Sequence, residues 1–195
     1  MNKSLDFYFD FVSPYSFLAH KEIKRIQKKN IIKINYKPIL LGGLHNLHGI
    51  KAPAFIPAKS KFMVRDCKII AEKKKIKFKF NSYFPIKTVT LMRGVFVARE
   101  DEFESYYIEK IFDSIWKFGL NMDDRNIMEK ILKNININPN NFFLRTSSQA
   151  IKNLLRKKTD EAFEKSIFGA PTFIVNNKLF WGQDRLDYAI AEAKK

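Results

Sequence analysis

A single cysteine, Cys67, stands among 195 residues, which excludes an intramolecular disulfide, a multi-cysteine metal site and any dithiol redox motif. Glycine and proline are sparse, at seven each, and 46% of the chain is hydrophobic, so a collagenous or disordered chain is excluded too. Long apolar runs are absent: none approaches the roughly 20 residues of a membrane span, and a soluble globular protein without a membrane partner is expected. The opening segment sets Asp6 and Asp10 among its apolar residues, where a secretory signal needs an unbroken apolar stretch, so the expected compartment is the cytoplasm. The length predicts one domain, or one with a sizeable insertion.

Acidic charge is the next shortage. Lys plus Arg less Asp plus Glu is 36 − 20 = +16, a balance that raises a nucleic-acid reading. Arginine, however, is scarce at 8 against 28 lysines, and Lys, Ile and Asn together make 66 residues, the usage of an A+T-rich genome. The excess is uneven: residues 1–100 carry 21 basic and 6 acidic side chains, residues 101–195 carry 15 and 14. Its densest piece, Lys73 to Lys79, lacks the arginines and interleaved aromatics of a base-reading surface. It reads as a solvated helix end, and no nucleic-acid partner is expected.

What is present is an ordered series of elements. Residues 4–11 alternate and are aromatic enough for a strand. Ser13-Pro14 then supplies an N-cap and a proline at the first helical position, where its missing N–H costs nothing. An amphipathic helix is predicted to about Asn30, and residues 31–40 return to a strand ending at Gly42-Gly43. From Pro57 to about Ser166 the strand signal nearly vanishes, with helical stripes such as Met63, Cys67, Ile70 and Ile108, Ile111, Phe112, Ile115 facing a core. Pro171 to Val175 reads as a strand, Asn176-Asn177 as a hairpin turn, Lys178 to Trp181 as its partner, and Asp184 to Ala193 as a helix. This βαβ opening, helical block and ββα close predict an α/β fold: a thioredoxin-like sheet with a helical insertion. The thioredoxin-like part takes 1–56 and 166–195, and the insertion 57–165.

Chemistry concentrates at Ser13-Pro14-Tyr15-Ser16. In a thioredoxin-type fold a Cys-Pro-x-Cys motif stands here, at a helix N-terminus that stabilises a thiolate. With serines at both positions the chain cannot exchange dithiols, yet it keeps the apparatus for holding another molecule's thiolate. Alternatively Ser13 is an N-cap and nothing more. The second feature is Gly169-Ala170-Pro171-Thr172 before a strand. In that topology Pro171 is expected to be a cis-proline facing the first helix, leaving a backbone edge free to pair with a peptide-like ligand. His45 and His48, at i, i+3 in a Gly-flanked loop, lack the further ligands of a metal site and read as surface histidines; no metal site is assigned. Cys67 on its apolar stripe reads as a buried, inert thiol.

Residues 6–16, Pro38-Ile-Leu-Leu-Gly-Gly, Pro57-Ala-Lys, Phe84-Pro85, Met92-Arg93, Gly169-Ala-Pro-Thr-Phe and Trp181-Gly-Gln-Asp-Arg resemble the 2-hydroxychromene-2-carboxylate isomerase family over nearly the whole chain. They are similar more distantly to kappa-class glutathione transferases and DsbA. The resemblance implies a homodimeric enzyme that uses glutathione and acts on a small aromatic carboxylate. Carried across, Ser13 matches the serine whose hydroxyl bonds the glutathione sulfur, and Lys59 a lysine that binds the tripeptide. Ala170, before Pro171, offers its backbone to the cysteinyl unit, and Gln183 and Asp184 hold the γ-glutamyl end; Asp184 also serves as an N-cap. Two positions depart from the pattern. Gly49-Ile50-Lys51 stands where kappa-class relatives have a glutathione-binding asparagine, and Lys87-Thr88 where an asparagine is frequent before the hydroxyl residue. Glutathione conjugation, and a non-catalytic module that captures a peptide or small thiol, remain the alternatives.

Overall fold

The structure is a computed structural model that describes residues 4–28 and 32–195. Its centre is a four-stranded sheet in the order β2-β1-β3-β4. Strand β1 (Ser4–Phe9) pairs in parallel with β2 (Lys33–Pro38) and antiparallel with β3 (Thr172–Val175), which turns back antiparallel into β4 (Lys178–Trp181). Phe7 faces Tyr36 on one side and Phe173 on the other. The hairpin turn needs two left-handed residues, and Asn176 and Asn177 supply them at φ 49° and 60°.

Strand β1 is paired on both edges and packed on both faces, and Leu5, Phe7, Tyr8 and Phe9 are buried, while Ser4 is exposed and Asp6 half-buried. Phe7 and Phe9 point into the larger core, with Phe11 just beyond the strand; Tyr8, pointing the other way, joins Ile39, Leu44, Ala162 and Ile167 in a smaller one. Each fully buried phenylalanine contributes about 1.5–3 kcal/mol, which makes this aromatic strand the spine of the fold.

The crossover between β1 and β2 is α1 (Pro14–Gln27). The predicted helix end at Asn30 and the strand start at residue 31 lie outside the described residues. After β2 come α2 (Leu41–Leu47), α3 (Pro57–Lys73), α4 (Val89–Glu100), α5 (Glu104–Trp116), α6 (Arg125–Asn134), α7 (Pro139–Thr146) and α8 (Gln149–Glu164). A final helix, α9 (Leu186–Ala193), follows β4. The predicted stripes are core-facing: Met63 and Cys67 are buried on α3, and Ile108, Ile111, Phe112 and Ile115 on α5. No helix among the described residues is long and apolar enough to cross a membrane.

Three expectations are corrected. Gly42-Gly43 does not end a strand, nor do the histidines occupy a loop: the segment is helix α2, and His45 on it is buried. Two glycines make a poor helix on propensity, but the helix start is held from outside. Asp10 accepts the Leu41 N–H at 2.8 Å, and Thr159 Oγ1 accepts the Leu40 N–H at 3.0 Å. His48, just past α2, sets Nε2 against the Ile167 carbonyl at 2.8 Å and its ring on Phe163. Asp184 does not cap the last helix. It lies inside a 3₁₀ turn, Gln183–Arg185, and α9 begins only at Leu186 with no side-chain cap. The cause is Gly182, whose φ of 111° turns the chain away from a helical start and leaves room for the Asp184 carboxylate above it.

Candidate functional site

Ser13 is the N-cap of α1, extended at φ −85° and ψ 113°, and buried. Its hydroxyl has two partners. Oγ accepts the Ser16 N–H at 3.1 Å, satisfying one of the first-turn donors, and donates to the Ala170 carbonyl at 2.9 Å. The bond from Ala170 to Pro171 is cis, as the sequence predicts. Three of the sequence-predicted residues, Ser13, Ala170 and Pro171, therefore meet at the positive end of α1. The Ser16 hydroxyl in the same turn is buried with no hydrogen-bond partner among the described residues.

Two further segments adjoin this turn. The 3₁₀ turn carrying Gln183 and Asp184 packs against α1; Gln183 is half-buried, and Asp184 is exposed and pairs with Arg185 at 3.1 Å. Helix α3 also packs on α1, where Tyr15 Oη donates to Asp66 at 2.8 Å. Burial and then Asp66 push the Tyr15 phenol far above its usual range, so it remains a neutral donor. Lys59 lies in the first turn of α3, exposed and without a partner among the described residues; the structure does not bring it into contact with Ser13. A cation there is opposed by the helix dipole, and no carboxylate offsets it among the described residues. Ile50 is exposed, its N–H bonded to the His45 carbonyl at 2.9 Å. Cys67 is fully buried, and burial followed by the Asp66 charge pushes its thiol up to about 12, an inert group as expected.

Sequence reasoning passed over Asp10. Its carboxylate is completely buried three residues before Ser13. It accepts the Val12 N–H at 3.0 Å, the Leu41 N–H at 2.8 Å and the Thr88 hydroxyl at 2.6 Å, while its own carbonyl accepts the Ser13 N–H at 3.1 Å. One side chain thus ties the Ser13 turn to the starts of α2 and α4. Burial raises its pKa, and the three bonds work against that rise. Its position gave little signal: Asp10 falls in the polar phase of the alternating segment, with Ser4 and Asp6, where a solvated acid is the ordinary reading. Thr88 is the second omission: named in the sequence only beside the Lys87 departure, it spends its hydroxyl on Asp10.

Comparison with known proteins agrees with this architecture. Residues 4–191 match the family model described as the DSBA-like thioredoxin domain. The chain is 27% identical over 190 residues, 96% of each sequence, to a 2-hydroxychromene-2-carboxylate isomerase of Sphingobium xenophagum. It is 24% identical over 195 residues, covering 93% of this chain and 86% of the other, to glutathione S-transferase kappa 1 of Caenorhabditis elegans. Among solved structures, a 2-hydroxychromene-2-carboxylate isomerase superposes with a TM-score of 0.88 at 23% identity, over 96% of this chain and 93% of that one.

Proposed function

The chain belongs to the DsbA-like thioredoxin-domain family, and from that premise we propose that it is a glutathione-dependent isomerase acting on 2-hydroxychromene-2-carboxylate or a similar unsaturated aromatic acid. The observation that carries the reading is the Ser13–Ala170 hydrogen bond. It sets a serine hydroxyl at a helix N-terminus against the carbonyl before a cis-proline, in a chain whose one cysteine is buried elsewhere. Names of the relatives support the same class: isomerases and glutathione transferases.

The residues present fit glutathione. The orphaned Ser16 hydroxyl, the Ser13 donor and the backbone of Ala170 are polar groups gathered where a helix dipole favours an anion. Bound there, glutathione would supply a sulfur nucleophile for reversible addition to a conjugated carbon of the substrate, which permits isomerisation with no thiol consumed. Ser13 is the donor and not the nucleophile: its hydroxyl proton turns from the Ala170 carbonyl to the sulfur. With the α1 N-terminus, that donor lowers a thiol of pKa near 8.5 by about 1 to 2 units, raising the thiolate fraction at neutral pH several-fold or more. Ala170, released from Ser13, offers its backbone to the cysteinyl unit on the edge that Pro171 sets. Lys59 takes a carboxylate of the tripeptide, and Gln183 with Asp184 the γ-glutamyl end. A homodimer in the cytoplasm, with the division into 1–56 plus 166–195 and 57–165, belongs to the same proposal.

Conjugation is the second reading, favoured by the likeness to kappa-class transferases. Liquid chromatography with mass spectrometry of a mixture of protein, glutathione and 2-hydroxychromene-2-carboxylate separates the readings. Isomerisation gives a new chromatographic peak of unchanged mass, formed faster than without protein, with glutathione unconsumed. A product heavier by one glutathione replaces it with conjugation, and binding without turnover reduces the chain to a capture module.

A further inference from the structure

Of the eight arginines, six sit against carboxylates and Arg65 is exposed to water. Arg93 has neither. It is half-buried on α4, its Nε is fully buried with no acceptor, and no carboxylate pairs with it among the described residues. Burial lowers its pKa with no neighbour to offset the cost. A buried guanidinium N–H without an acceptor is costly, and such an unsatisfied group calls for an explanation such as a bound anion.

Its place in the fold says what that is. Helix α4 is fastened to the segment just before Ser13 at two points: Thr88 on Asp10, and Met92, whose sulfur accepts the Phe11 N–H at 3.4 Å. Arg93 follows Met92 with a rise of about 1.5 Å. Phe11 and Ser13 are two residues apart, at most about 7 Å between Cα atoms. The Gly94 side of α4 is closed by Tyr107 and Phe142. Arg93, about 100° round the helix from Gly94, leaves by another flank. Arg93 therefore stands one residue beyond the Met92 contact that fastens α4 to the segment leading into Ser13.

Resting on the function proposed above, we propose that Arg93 binds the carboxylate of the aromatic co-substrate, in the two-pronged pairing that a guanidinium offers a planar anion. The same chemistry would suit a carboxylate of glutathione, and the test separates the two sources. Titrate the protein with trans-2-hydroxycinnamate, with its methyl ester, and separately with glutathione, by calorimetry. Expected is binding of the acid at least ten-fold tighter than of the ester, a gap that Arg93→Gln removes and Arg93→Lys partly restores, with glutathione affinity unchanged in both. Equal affinity of acid and ester for the unmodified protein overturns the proposal. So does an Arg93→Gln variant that loses glutathione instead of the acid. If glutathione fails to bind at all, the functional reading falls, while the gap between acid and ester still decides Arg93. Melting temperature guards against a purely structural role: Arg93→Met, which removes an unpaired charge, melts at or above the unmodified protein. A clear drop in both Arg93→Met and Arg93→Gln would make the guanidinium a fold element and overturn the assignment.

Discussion

The Ser13 hydroxyl donates to the carbonyl of Ala170 across 2.9 Å, joining positions 157 residues apart in sequence. The same oxygen caps α1 through the Ser16 N–H. Ser13→Ala removes both bonds, and the two losses have different sizes. Loss of the cap costs about 1 kcal/mol, a melting point lower by a few degrees. Loss of the donor to a thiolate costs about 10- to 1,000-fold in turnover. Circular-dichroism melts beside steady-state rates check the pair. Turnover equal to the unmodified protein would remove Ser13 from the chemistry.

Asp10 is expected to resist its nearest isostere. An asparagine there has one oxygen, whereas Val12 and Leu41 both present N–H groups that can only donate, one to each oxygen of the carboxylate. Whichever way the amide is turned, its NH₂ faces one of them. Asp10→Asn is therefore expected to lose about 1–3 kcal/mol of stability, read by urea denaturation, and to lower turnover by loosening the Ser13 turn. An unchanged midpoint would mean that the three donors do not depend on this carboxylate.

The parts of this molecule that were legible in the sequence are those written in local chemistry. Ser13-Pro14 announces a helix start, Asn176-Asn177 a tight hairpin, and the helical stripes on α3 and α5 their buried faces. What was not legible depends on partners far along the chain. Helix α2 looks like a glycine-broken strand end until Asp10 and Thr159, 31 and 119 residues away, take up its leading N–H groups. The start of α9 is displaced by one glycine at positive φ, a conformation the residue type permits without demanding. Asp10 was hidden for the same reason: it falls in the polar phase of an alternating segment, and its burial follows from donors at Leu41 and Thr88, 31 and 78 residues away.

Gly94 should be intolerant of even a methyl group. A Cβ there would run into the Tyr107 hydroxyl and the Phe142 ring, both almost wholly buried, and Tyr107 is also tied to the Leu91 carbonyl at 2.9 Å. Neither neighbour can swing into solvent. Gly94→Ala gains about 1 kcal/mol of helix propensity and loses about 2–3 kcal/mol to overpacking, for a net destabilisation of about 1–2 kcal/mol. Denaturant midpoints measure it, and a stabilised variant would show that α4 shifts freely.

Acid should weaken the fold in two stages. His20 is buried, with Nδ1 at 2.8 Å from Tyr36 Oη and Nε2 at 2.6 Å from Glu109. Burial lowers its pKa below the usual 6.5, against the pull of Glu109, so the unfolded chain binds the proton first. Stability is then lost as pH falls from about 6.5 toward the folded value. Burial alone would raise Glu109, but its bonds to His20 and Lys21 and their charge bring it down to about 2. A depressed carboxylate contributes stability above its ordinary pKa, lost between about 4.5 and 2. Melting temperature against pH should fall in both windows, and Glu109→Gln should flatten the lower one. A lower limb of unchanged slope in that variant would assign it to other carboxylates.

The last prediction joins charge to encounter. Residues 1–100 carry 21 basic against 6 acidic side chains and contain both Ser13 and Lys59, so a positive field is expected around the turn to which two anions, glutathione and the aromatic acid, should come. Such a field acts on approach more than on chemistry. Its reach shrinks from about 8 Å at 0.15 M salt to 3 Å at 1 M, so kcat/KM should fall with ionic strength while kcat changes little. Lys59 and Lys75 are both exposed, and the Lys75 carbonyl, not its ammonium, holds Arg25 at 3.2 Å. Removing the Lys75 side chain therefore subtracts one charge from the field and leaves that contact standing. Removing Lys59 subtracts the same charge and, on the proposed function, a direct partner of the tripeptide as well. With glutathione as the varied substrate, Lys59→Ala should raise KM several-fold at low salt and keep a residual deficit at 1 M, where field effects are screened; Lys75→Ala should show a small deficit that disappears. Equal, small effects of the two variants and a salt-insensitive kcat/KM would take Lys59 out of the site and reduce the basic excess to genome composition.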